Sequence, residues 1–316
     1  MDPGLGPPVR RTRVTAALMI VDLLSGLGQA LLFGLINGSV IAVGAVGLTL
    51  SYGVTRFINF AYGEFLTFGA YAALLVVGGL GGSVGTAVGV PVAAVLAVGA
   101  VGLLGVAVSE GFFRPLRERG PLPLLITSIG VAFVLRNLLR AVVGTQAKQL
   151  PVPLMRPWTF AGLHLNPVEA LVLASAVATM VVVHLLLQRT MLGTMMRATS
   201  GNRQLALVSG IDTDRVIRYT WLVSAGTGAL AGILLAVLFP PFRPIMGWDF
   251  LIVVFAATLL GGIGKPYGAM AGALVVGIAM SLGTTYLSAD YRTGYAFAIL
   301  VGVLLFYPEG IAGGEL

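Results

Sequence analysis

Charged residues are missing from one bilayer-length stretch of this chain after another, and that spacing limits the folds open to it. A helix needs ~20 mostly apolar residues to cross ~30 Å of hydrocarbon. Apolar stretches fall near 14–36, 38–54, 57–78, 88–109, 122–144, 168–188, 216–238, 249–263, 269–288 and 294–308. Only 10% of the residues are charged, whereas a soluble domain is ~25% charged because its surface must be wetted. The 44 glycines sit among apolar residues without a collagen period, as they do where transmembrane helices pack closely. The expectation is an all-α, polytopic helical membrane protein with eight to ten transmembrane helices, forming one domain over residues 1–316. Asn37-Gly38 and Ser51-Tyr52-Gly53 are the only punctuation among the first three stretches. A broken or re-entrant helix near 50–65 is therefore expected.

Arg and Lys placement sets orientation. With ten spans and an inner N-terminus, the cytoplasmic segments collect Arg10, Arg11, Arg13, Arg56, Arg114, Arg117, Arg119, Arg189, Arg197, Arg203, Arg215, Arg218 and Lys265. The outer segments keep Lys148, Arg156, Arg243 and Arg292. The net charge of +7 thus reads as topology, not as affinity for nucleic acid. Both termini are expected on the cytoplasmic side. The N-terminal tail carries no recognisable cleavage site. The proline-rich outer loop 145–167 reads as an ordered cap, with Trp158 at the membrane interface.

Much chemistry is excluded. The chain has no cysteine, hence no disulfide, thiolate metal site or cysteine nucleophile. His164 and His184 are its only histidines, and neither stands in a metal-binding spacing. The run Gly261-Gly262-Ile263-Gly264-Lys265-Pro266 fails as a phosphate loop, because Leu259 and Pro266 stand where a glycine and a Ser/Thr are needed. No metal and no cofactor bound by this chain are expected, and no enzymatic activity.

Few polar residues remain inside the apolar stretches. Glu64 lies in Asn59-Phe60-Ala61-Tyr62-Gly63-Glu64-Phe65. It either faces protein, water or a cation at membrane depth, or sits hydrated at the inner end beside Arg56. Arg136 and Arg140 share one helix face and can snorkel outward. Asp22 has no assignable partner. Residues 189–215 form the largest inner segment, with Leu192, Met196, Leu205 and Val208 at helical spacing. Gly210 reads as a helix C-cap and Asp212 or Asp214 as the next N-cap. Two short amphipathic helices there suit either docking of a soluble partner or a connector lying on the membrane surface.

At this segment the sequence resembles the coupling loop of prokaryotic ABC importer permeases, and most closely the branched-chain amino acid permeases. The residues concerned are Arg197-Ala198, Asn202, Leu205-Ala206 and Gly210-Ile211 through Val216. Other passages agree in order and spacing: Asn37-Gly38-Ser39, Ile58 to Glu64, Leu259 to Gly264 with Gly268, Ala269 and Gly272, and Pro308-Glu309-Gly310-Ile311. The resemblance implies a permease subunit importing branched-chain amino acids, with urea or short amides as the alternative solute. It implies a second permease, in a heterodimer, two ATPase subunits that hold ATP and Mg, and an external solute-binding protein. It further implies a multi-pass location in a prokaryotic inner or plasma membrane. Arg197, Ala198, Asn202, Leu205, Ala206, Gly210 and Ile211 would dock on the ATPase. Asn59, Phe60, Tyr62, Gly63, Glu64, Gly261, Gly262 and Gly264 would line the pathway or gate. Tyr62, and Lys265-Pro266-Tyr267, depart from the family's pattern. The rival is an ion-coupled carrier acting without ATPases, which should show intramembrane acids or a discontinuous helix pair in two matching halves.

Overall fold

A computed structural model describes the backbone of residues 8–79, 86–153, 155–160 and 162–306, and within the first helix the side chains from Gly26 onward. Eleven α-helices account for most of it: α1 (Pro8–Thr55), α2 (Tyr62–Gly79), α3 (Thr86–Val108), α4 (Pro121–Val143), α5 (Pro167–Arg189), α6 (Met191–Gly201), α7 (Arg203–Val208), α8 (Thr213–Leu238), α9 (Met246–Gly261), α10 (Pro266–Tyr286) and α11 (Arg292–Phe306). A hairpin of β1 (Trp158–Phe160) and β2 (Leu163–Leu165) lies in the outer loop. Seven helices are long and apolar enough to span a membrane, and α9 is a shorter apolar helix. The polytopic all-α class holds.

The stretches 14–36 and 38–54 need correcting, because they form one continuous helix, α1. Asn37-Gly38 does not break it. A Cβ on Gly38 would lie 2.9 Å from Leu274 Cα, and one on Gly277 would lie 2.3 Å from Gly38 Cα. The glycine permits contact between α1 and α10 instead of ending a helix. Ten separate spans are therefore not found among the described residues. The Thr55 end of α1 adjoins residues 189–215, where Arg56 donates to the Ser200 carbonyl at 2.5 Å. At the other end Gln29 exchanges hydrogen bonds with His164 of the outer hairpin. The side chains of Asp22, Arg10, Arg11 and Arg13, and residues 308–311, lie outside the described residues.

The break expected near 50–65 is present. Helix α1 stops at Thr55, Arg56 adopts φ +56, and α2 starts at Tyr62. Between them the chain turns back into the bundle. The Tyr62 hydroxyl donates to the Gly44 carbonyl at 2.8 Å, eleven residues before Thr55 and so about 16 Å up α1 at 1.5 Å per residue. Asn59 Oδ1 accepts from the Ala61 N–H and Ser128 Oγ from the Phe60 N–H. These bonds satisfy backbone groups that lipid could not.

A second interruption matches it. Helix α8 runs from the 189–215 end to Leu238, and residues 239–245 then lead into α9. Gly247, the second residue of α9, meets Gly63, the second residue of α2. A Cβ on either would fall 1.9 or 2.8 Å from the other's carbonyl oxygen. Both short helices thus begin at about the same depth and run in opposite directions. Around this crossing packs a core of Tyr62, Phe65, Leu66, Trp221, Ala229, Leu251 and Val254.

Overpacking this crossing should be costly. A Cβ at Gly232 would lie 1.9 Å from the Leu66 carbonyl oxygen. Gly232→Ala is expected to cost about 1–3 kcal/mol, seen as a lowered midpoint of thermal unfolding in detergent. Gly99→Ala, where the space is open, should leave that midpoint unchanged.

Candidate functional site

Two groups of functional residues emerge, one at the helix crossing and one at the end of the bundle that carries residues 189–215.

At the crossing, Glu64 is fully buried and bonded to Arg136 of α4. One carboxylate oxygen accepts from Arg136 Nε at 3.0 Å and from a terminal guanidinium nitrogen at 2.5 Å. Arg136 also stacks over Trp248 at 4.6 Å and Phe133 at 5.5 Å. The hydrated, inner-end reading of Glu64 is thereby overturned. Coulomb attraction at low dielectric and the two hydrogen bonds offset the burial of both ions. Glu64 Oε2 and Asn59 Nδ2 are buried with no hydrogen-bond partner among the described residues. Phe60 is half-buried and packs at a tilt against Trp248 and Phe255.

Tyr62 and Gly63 belong to the packing. Tyr62 is 0% exposed, its ring enclosed by Gly47 and Gly228. Gly261 lets α9 meet α10, since a Cβ there would lie 2.0 Å from the Gly268 carbonyl oxygen. Gly262 and Gly264 hold φ of +94 and +86 in the turn between these helices. That conformation is open to glycine at little cost and to other residues only with strain.

Above this crossing lies a cavity of about 370 Å3 between α1, α8, α9, α10 and α11. Asn37, Arg243, Asp249 and Arg292 line it together with Val40, Ile41, Phe239, Phe250, Val253 and Met280. Asp249 was missed from sequence because it begins an apolar stretch, where a carboxylate reads as a helix end. Its position in a span was the available signal.

At the other end, α6 and α7 are capped by sequence-local bonds. Thr190 Oγ1 accepts from Gly193 N–H, and Asn202 Oδ1 from Leu205 N–H. Helix α7 ends in a Schellman turn, with Gly210 N–H on the Leu207 carbonyl and Ile211 N–H on the Ala206 carbonyl. Gly210 has φ +85, as its expected C-cap role requires. Asp212 caps α8 by accepting from Arg215 N–H at 2.9 Å. That bond holds its carboxyl below the usual range, so the cap weakens only as pH falls through the depressed value. Ala206 is buried, whereas Leu205, Leu207 and Val208 are exposed, Val208 at 87%. Arg197 bonds the Leu187 carbonyl, tying α6 to α5.

Asp214 gathers three arginines, Arg117 at 3.1 Å, Arg203 at 3.5 Å and Arg114 at 3.6 Å. This ties residues 189–215 to the loop after α3. Gly264, Lys265 and Tyr267 share a cavity of about 310 Å3 with Arg56, Arg197 and Ser200. His184 and Gln188 of α5 hold the Tyr267 hydroxyl at 2.8 and 3.2 Å. Among the described residues no cluster of His, Asp or Glu could hold a metal ion.

Interrupted helices, a buried ion pair among the spans and a capped, apolar-tipped loop define a polytopic membrane transport protein. The model of the family described as branched-chain amino acid transport system / permease component matches residues 30–307, and the chain belongs to that family. It is 31% identical over 297 residues to the high-affinity branched-chain amino acid transport system permease protein LivH of Escherichia coli (strain K12), covering 90% of this chain and 95% of that one. It is 30% identical over 294 residues to the permease protein BraD of Pseudomonas aeruginosa, covering 90% and 95% of the two chains. The probable branched-chain amino acid transport permease protein LivH of Methanocaldococcus jannaschii is 30% identical over 324 residues, 93% of this chain and 96% of that one. No solved structure matches the chain.

The buried pair is testable apart from transport. Arg136→Met should destabilise the protein by about 3–5 kcal/mol, because it strands the Glu64 carboxylate. Adding Glu64→Gln should restore part of the loss. Thermal unfolding of the single and double variants in detergent measures both effects.

Proposed function

We propose that this chain is a permease subunit of an ATP-driven importer of branched-chain, hydrophobic amino acids, working by alternating access. The observation that carries the reading is the family match, which runs from α1 to the end of α11. The relatives' printed names supply the solute class. Glycine-mediated helix contacts, with helices interrupted at membrane depth, supply elements that can rock about a central path.

In this reading the residues between α5 and α8 dock on a partner ATPase. Leu205, Leu207 and Val208 form an apolar tip that a soluble chain would hide in a partner. Arg197, Ala198, Asn202, Ala206, Gly210 and Ile211 hold that tip in shape through the caps described above. Force from the ATPase then passes through the Asp214 cluster and Arg56 to α1, α3 and α8. ATP and Mg reside on two separate ATPase subunits, and this chain binds neither. A second permease completes a heterodimer, and an external solute-binding protein delivers the solute to the outer side.

In this reading the 189–215 end faces the cytoplasm of a prokaryotic cell.

One observation favours the ion-coupled rival: the matched interruptions before α2 and α9 are the discontinuous pair such a carrier would have. Deleting the ATPase genes separates the two. Uptake should disappear for the importer, and uptake that persists would sink it. Urea or a short amide as solute is tested by competition, since excess leucine should block uptake and excess acetamide should not.

Two further outcomes are expected. At Gly210 none of the described residues lies within 4 Å of an added Cβ, so a side chain there meets only the local strain of φ +85. Gly210→Asp and Val208→Glu should therefore leave membrane insertion intact while abolishing ATP hydrolysis stimulated by loaded binding protein. The absence of cysteine makes single-cysteine labelling direct. In intact cells an impermeant maleimide should label Thr159→Cys, and it should reach Ser209→Cys only after permeabilisation.

A further inference from the structure

We infer that the cavity above the α2–α9 crossing is a station for a zwitterionic, apolar α-amino acid, with Arg292 receiving its carboxylate and Asp249 its ammonium group. The inference rests on the importer reading and adds the residues that would recognise the solute.

Among the described residues neither Asp249 nor Arg292 takes part in a salt bridge. Arg136, which attracts Asp249 electrostatically, is bonded to Glu64 instead. An Asp or Arg at membrane depth costs ~2.5–3.5 kcal/mol on insertion scales, so two such residues facing one cavity call for a ligand. Arg292 is also oriented. Its guanidinium lies 4.1 Å over the Phe239 ring and reaches Asn37 Oδ1 at 3.4 Å. The planar fork left between them suits a carboxylate.

Arg243 and Thr293 also line it, and the rest of the wall is largely apolar: Val40 and Ile41 from α1, Phe250 and Val253 from α9, and Met280 from α10. At about 370 Å3, the cavity lies near the lower end of the ~300–1,000 Å3 usual for small-molecule sites. Asp249 stands in the first turn of α9, whose partial positive end lies at the same depth and favours the carboxylate as well. One ligand carrying both charges and a branched aliphatic chain matches Asp249, Arg292 and the apolar part of the wall. Urea or a simple amide would leave both protein charges unmet.

The test uses the purified permease–ATPase complex without binding protein, and the probe is a diazirine analogue of leucine that retains both charged groups. In the wild type, photolysis should label peptides carrying Val40, Phe250 or Met280, and excess leucine should abolish the label. 4-Methylpentanoate and isopentylamine, each with one charge, should compete at least tenfold less well. Asp249→Asn and Arg292→Gln should each cut labelling at least tenfold. In Asp249→Asn the deaminated acid should compete as well as leucine, a change that mere loss of structure would not produce. Arg292→Lys should retain part of the labelling. If the wild type imports leucine while both charge-neutral variants label and import at its level, the site is refuted and the importer reading stands. If the wild type imports a short amide and no leucine, the importer reading loses its solute class, and this station falls with it.

Discussion

A backbone carbonyl or amide in hydrocarbon must find a partner within the protein, and the rest of the structure depends on how this chain meets that demand at two breaks. Ending α1 at Thr55 and restarting at Tyr62 puts six irregular residues among helices. Their polar groups are met by Asn59 and Ser128. Restarting α9 at Met246 repeats the problem from the opposite side. The two helix starts lean on one another at Gly63 and Gly247, where the Cβ of any larger residue would strike backbone. Glu64 and Arg136 then fasten α4 to the same place. Glycine contact gives closeness without direction, and the ion pair gives direction.

A chain of contacts leads from that crossing to the end of the bundle that carries residues 189–215. Helix α9 descends from Gly247 to Gly261, and the Gly262–Gly264 turn hands over to α10 beside Tyr267. Tyr267 is held by α5, whose last turn accepts Arg197 from α6. Arg56, at the foot of α1, grips Ser200 of the same helix. The route from the apolar tip of α7 to both interrupted helices thus passes through hydrogen bonds and ion pairs, not through loosely packed loops. A displacement of α6 by one or two ångströms must break or carry these bonds, and that is the kind of two-state element coupling requires.

Much of this was legible in the sequence because it is local. Gly210 announces a C-cap and Asp212 or Asp214 the next N-cap by residue type and spacing, and Gly210 and Asp212 take those roles. The break after Thr55 showed itself through Ser51-Tyr52-Gly53. The failures were tertiary. Asn37-Gly38 looks like punctuation, yet Gly38 serves contact with α10, and no one-dimensional pattern tells a packing glycine from a breaking one. Glu64 and Arg136 are 72 residues apart, so each was weighed alone when only together are they stable at that depth. Asp249 and Arg292 were hidden for the same reason, since they share a cavity only after five helices have assembled.

The two charge pairs also divide the work in a way that magnitudes can decide. Breaking a buried, hydrogen-bonded pair such as Glu64–Arg136 costs about 3–5 kcal/mol. A solute's ammonium group would have to repay that cost to capture Glu64 from Arg136. Asp249 and Arg292 need no such exchange, because neither is committed to an ion pair among the described residues. A station that must release its solute on every cycle is better built from the second pair, since binding there forms new contacts without dismantling the crossing. Glu64 then acts on transport by fixing where α2 begins relative to α9, and in the proposed station Asp249 and Arg292, not Glu64, meet the solute.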